Sequence, residues 1–71
     1  MRIVFIGGAT AQGGSPRLYR DEESGDFIVQ GYVVSEPADL AQMNIPAGET
    51  VVRVPESLFD YLPGAGADGV A

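Results

Sequence analysis

The chain has no cysteine, no histidine, no lysine and no tryptophan among its 71 residues. Without cysteine there is no disulfide and no thiolate metal site. Without histidine the commonest metal ligand and the commonest general base are missing. Without lysine there is no side chain to close a Walker-type phosphate loop. Long apolar runs are also missing. The longest, Ile3–Ile6, covers four residues, against the roughly 20 that span a bilayer. No leader-like apolar region follows the N-terminus. These absences lead to an expectation of a cytoplasmic protein without metal, cofactor or membrane span.

What is present is acid. Ten Asp and Glu oppose four arginines (Arg2, Arg17, Arg20 and Arg53), for a net charge of −6. Such a surface repels nucleic acid and anionic membranes, so neither is an expected partner. The charge reads first as a device for solubility. A chain this short makes one domain and buries only roughly 60% of its unfolded surface. Small domains usually add disulfides, a metal or a partner subunit. With cysteine and histidine absent, oligomerisation or docking onto another protein remains. Arginine without lysine, among many Ala and Gly, also suggests a GC-rich genome.

Local patterns predict an α+β domain with a small antiparallel-rich sheet of three to four strands and two short helices. Residues 2–6 read as a strand, since Ile and Val are β-branched and Phe favours strands. Residues 7–15, GGATAQGGS, read as a flexible loop. RLYR is a short strand, and DEESGD is a hairpin connection. FIVQGYVV reads as a single central strand, apolar on both faces. Gly31 within it predicts a bulge or a close approach. Ser35 is the expected N-cap of a helix over EPADLAQM that Asn44 closes. TVVRV is another strand. Residues 55–62 predict a second helix, with Pro55 at its first position and Leu58, Phe59 and Leu62 as its apolar stripe. The domain spans 1–62, and 63–71 read as a disordered tail.

The glycine-rich opening invites a nucleotide reading. Gly8 and Gly13 have the spacing of a phosphate loop, but Gly14 stands where the lysine belongs, and no helix is predicted to follow. Asp21, Glu22, Glu23 and Asp26 lack EF-hand spacing and read as a solvated turn. No serine has a His or Lys to activate it, so no catalytic residue is assigned. The aromatic and aliphatic residues remain. Three or four strands and two short helices leave one sheet face uncovered, and such a patch is a typical partner site. The residues assigned to it are Phe27, Ile28, Tyr32, Val34, Tyr19 and Tyr61, with the contact centred on the face around Phe27, Tyr32 and Val34.

Residues 15–62 also carry a resemblance. Ser15, Pro16, Leu18 and Tyr19, then Val29 to Val33, then Ile45 to Leu58 match a S-P-x-L-Y strand, a VQGY-V strand and an IPxGExxVxVPxxL ending. In these motifs the chain resembles small actinobacterial proteins and, more loosely in layout, BldB-type proteins. The resemblance implies a non-enzymatic, antitoxin-like partner of a helix-turn-helix transcription regulator. It carries over no functional residue. The combined expectation is a self-associating, protein-binding module. Two alternatives are a small-ligand or nucleotide module using loop 7–14, and an acidic DNA-mimic decoy.

Overall fold

The computed structural model describes residues 1–11 and 13–64. Three strands, β1 (Ile3–Gly8), β2 (Arg17–Asp21) and β3 (Phe27–Gln30), form an antiparallel sheet in the order β1-β2-β3. Two further strands, β4 (Tyr32–Val33) and β5 (Val52–Arg53), form a separate antiparallel ribbon. One helical turn, α1 (Pro37–Leu40), lies between β4 and β5, and a 3-10 helix (Glu56–Tyr61) follows β5. The architecture is α+β. Residues 65–71 of the expected tail lie outside the described residues.

The run read as one central strand is two. β3 pairs with β2, while β4 turns away to pair with β5, and the break falls at Gly31. A Cβ there would lie 2.6 Å from the Arg53 carbonyl oxygen and 2.7 Å from Val54 Cγ1. The chain therefore crosses β5 so closely that only glycine fits. The apolar content on both sides of FIVQGYVV serves two different sheets, so β2 is the central strand and β3 an edge.

The opening strand runs two residues past its expected end, taking in Gly7 and Gly8. Register passes from Phe5 opposite Tyr19 to Gly7 opposite Leu18, which leaves Ile6 as a bulge. Gly7 is required by packing: a Cβ there would sit 2.2 Å from Cδ1 of Tyr61. The connection that follows is also tied. Ala9 N–H donates to the Pro16 carbonyl and Gly14 N–H to the Ala11 carbonyl, each at 2.8 Å.

The helices differ from their sequence readings for two reasons. In α1 the N-cap is Glu36, not Ser35, and no side chain caps it. It ends at Leu40 rather than Asn44, though turn hydrogen bonds continue to Met43. None of its residues is buried, and helices owe most of their stability to a packed face. In the 3-10 helix, Pro55 is the N-cap rather than the first helical residue. Its three-residue turn aligns i with i+3. Leu58 and Tyr61 thus share the side facing the sheet, Leu58 buried and Tyr61 exposed on its outer side while its ring lies against Gly7, and Phe59 from the expected stripe is also exposed. Leu62 is extended, as the residue before Pro63 must be.

In the hairpin turn between β2 and β3, Glu22, Glu23 and Asp26 are exposed, as a solvated turn requires, but Asp21 is not. Asp21 is buried at 7% exposure. Its Oδ1 accepts the N–H of Arg2 at 3.1 Å and of Glu23 at 3.0 Å, and Ser24 Oγ donates to Oδ2 at 3.0 Å. Asp26 N–H donates to Ser24 Oγ at 3.1 Å. Glu22 pairs with Arg2 Nε at 3.2 Å. The Arg2 N–H, first among these donors, holds the Asp21 carboxyl below its ordinary value despite burial.

Leu18 of β2 and Leu58 of the 3-10 helix are the buried apolar side chains among the described residues, at 1% and 2% exposure. Each contributes about 1.5–3 kcal/mol by burial. Leu58→Ala is expected to cost about 2–5 kcal/mol, whereas the neighbouring Phe59→Ala stays within about 0.5 kcal/mol. Urea unfolding followed by circular dichroism compares the two. Asp21 generates a second prediction, on pH. Its folded pKa is depressed, so its contribution is complete above the unfolded carboxylate pKa of about 3.9. The contribution falls away as pH drops through the lower folded value. Asp21→Asn should remove that part of the acid-unfolding profile, leaving the Asn variant less pH-dependent than the parent in thermal melts below about pH 4.

Candidate protein-binding face

Directly paired residues share a sheet face, so register sorts the side chains. Gly7, Leu18 and Val29 lie on one face, with Val4, Arg20 and Phe27 beyond them. The Tyr61 ring at Gly7 and the burial of Leu58 with Leu18 place the 3-10 helix on this side. The opposite face presents Ile3, Phe5, Tyr19 and Ile28, and at one end Arg17 and Gln30. Among the described residues no helix or strand packs on it as the 3-10 helix packs on the first.

On this open face Phe5, Tyr19 and Ile28 make one cross-strand row over all three strands. The Phe5 and Tyr19 rings meet edge to face, with centroids 5.9 Å apart and planes at 70°. The Arg17 guanidinium carbon lies 5.6 Å from the Phe5 centroid, a cation–π contact. A chain of hydrogen bonds borders the row. Arg17 donates to the Ala11 carbonyl and, at 3.3 Å, to the Tyr19 hydroxyl. Tyr19 donates to Gln30 Oε1 at 3.0 Å, and Gln30 Nε2 donates to the Gly14 carbonyl at 3.2 Å. The glycine loop is thereby fastened to the rim of the face. Ile3 and Phe5 are each 44% exposed, and Tyr19 and Ile28 are half-buried.

The structure distributes the six sequence-assigned residues over four places. Tyr19 and Ile28 stand together on the open face. Phe27 is on the opposite face, where the Arg20 guanidinium carbon lies 5.2 Å from its ring centroid. Tyr32 projects from the ribbon, and Val34 extends it through an N–H bond to the Val51 carbonyl at 3.0 Å. Tyr61 belongs to the 3-10 helix. Phe27, Tyr32 and Val34 therefore do not share a face. The strand break at Gly31 separates the first from the other two. Phe5, which completes the row, and Ile3, beside it on the same face, were not among the assigned residues. Their period-two spacing in β1 was the available signal, but only the pairing register puts them beside Tyr19.

The glycine loop leads from a strand into an antiparallel strand, so its amides do not cap a helix. The hollow beside it, lined by Phe5, Ala9, Thr10 and Arg17, is about 130 Å³. Among the described residues no cluster of three acidic side chains is arranged to hold a metal ion, and no helix is long and apolar enough to cross a membrane.

The Tyr19 hydroxyl joins Arg17 to Gln30, and Tyr19→Phe is expected to cost about 0.5–1.5 kcal/mol while keeping the edge-to-face ring contact. Thermal melts at neutral pH measure it. Compared with family models, curated proteins and solved structures, the chain matches none of them.

Proposed function

We propose that this chain is a non-enzymatic, acidic protein-binding module that docks and self-associates through the open sheet face bearing Ile3, Phe5, Tyr19 and Ile28. The observation that carries the reading is the imbalance between that face and the interior. Among the described residues two apolar side chains are fully buried, while ten large apolar residues are exposed, and of these Ile3 and Phe5 stand on that face. A contiguous aromatic and aliphatic row of this kind suits the core of an interface, where aromatics are enriched. Arg17 and Gln30 supply a polar rim. Both β1 and β3 are sheet edges, which offer unpaired backbone groups to a second copy.

The net charge of −6 favours a partner with a basic surface and quickens their encounter at low salt. A DNA-binding regulator of the helix-turn-helix class, as the resemblance implies, has such a surface, and the module acts beside it in the cytoplasm as an antitoxin-like regulatory partner. The absence of His, Cys and Lys from the chain leaves its serines without an activating base, which supports the non-enzymatic reading.

Light scattering on a sizing column is expected to show a multimer for the parent chain. The double variant Phe5→Ser/Ile28→Ser should run as a monomer with an unchanged far-ultraviolet spectrum. The same variant should lose capture of a co-expressed helix-turn-helix regulator, and capture by the parent should weaken with salt. A monomeric parent that captures no regulator overturns the proposal.

A further inference from the structure

A second surface lies away from the open sheet face. Beside the β4–β5 ribbon is a cleft of about 400 Å³ lined by Ser15, Pro16, Tyr32, Arg53, Val54 and Pro55. Small-molecule sites fall in the range of about 300–1,000 Å³ and combine apolar walls with a few polar groups. Here the walls are two proline rings, Val54 and the exposed ring of Tyr32. The charged group is Arg53, directly opposite Tyr32 in the ribbon register, so the two project from the same side.

Arg53 differs from the other three arginines. Arg2 is paired with Glu22, Arg17 is bonded to the Ala11 carbonyl and Tyr19, and Arg20 lies over Phe27. Among the described residues the exposed Arg53 side chain has no ion pair, no hydrogen bond and no cation–π contact. The same cleft is bordered by Ser15, whose Oγ is buried and unpartnered among the described residues. A free guanidinium against an apolar wall, in a chain of net charge −6, is a specific feature that the fold does not use.

We propose that this cleft binds the carboxylate of an apolar organic acid, the anion on Arg53 and the apolar body against Tyr32, Pro16 and Pro55. One planar guanidinium matches one carboxylate through two parallel hydrogen bonds. A phosphate dianion is a poorer fit, because a single cation in an acidic chain leaves its second charge unbalanced. The same chemistry is offered by a small free acid and by the C-terminal carboxylate of a peptide. The proposal rests on observations separate from those behind the docking face.

The test follows amide resonances of Gly31, Tyr32, Arg53 and Val54 in nitrogen-15 correlation spectra. The titrants are phenylacetate, phenylacetamide, acetyl-alanyl-phenylalanine, its C-terminal amide and inorganic phosphate. Either or both acids should give saturable shifts at these residues, at least about tenfold tighter than the matching neutral amide, the gain of one charge-assisted pair. The tighter of the two acids identifies the source. Arg53→Gln should abolish the preference for the acid, whereas Arg20→Gln and Phe5→Ser/Ile28→Ser should preserve it. An unchanged spectrum away from the cleft confirms that Arg53→Gln is folded. Equal binding of acid and amide overturns the proposal. So does retained acid preference in Arg53→Gln, tighter binding of phosphate than of either acid, or no shift at these residues with any acid.

Discussion

The Asp21 carboxylate is where three lengths of chain meet: the start of β1, the end of β2 and the turn into β3. It accepts backbone N–H groups from Arg2 and Glu23 and a hydroxyl from Ser24. Glu22 N–H returns a bond to the Arg2 carbonyl at 2.9 Å, so the β1–β2 ladder is closed at this end by side chain and backbone together. A neutral side chain of similar shape would not match it, because charged acceptors form the stronger hydrogen bonds. The sheet order, the row on its open face and the position of the 3-10 helix all presuppose this closure. In a domain with so small an interior, polar closure of this kind takes on part of what packing does in larger folds.

The small interior also explains the shape of the helices. A sheet of three short strands offers one helix a seat, and the 3-10 helix takes it with Leu58 and Tyr61. Nothing comparable remains for α1, and it is a single turn. One face of the sheet thus receives the 3-10 helix, and the other keeps Ile3 and Phe5 exposed. The ribbon, fastened at Gly31, builds its own cleft from residues far apart in sequence: Ser15 and Pro16 before β2, Tyr32 after β3, and Arg53 to Pro55 near the end of the described chain.

The places of the strands along the chain were legible because β-branched and aromatic residues, hairpin glycines and prolines report local backbone preference directly, whereas the central place assigned to FIVQGYVV belongs to β2. The hairpin at Asp21–Asp26 and the close approach at Gly31 could both be read from residue type. Three things could not. Whether Gly31 bends one strand or divides two depends on β5, twenty residues away. Whether Phe59 or Tyr61 faces the sheet depends on a three- rather than 3.6-residue turn, which the residues 55–62 do not announce. The membership of the open face depends on register, and the bulge at Ile6 decides it: had Ile6 paired, the residues beyond it would have exchanged faces. Phe5 and Arg17 gain their meaning only from that register.

The seating of Tyr61 on Gly7 has a spectroscopic consequence. The glycine hydrogen that takes the place of a side chain points into the aromatic ring. The ring current of Tyr61 must therefore displace its resonance from the usual glycine position. The displaced Gly7 signal reports the docking of the 3-10 helix alone, from the face of the sheet that carries Leu18.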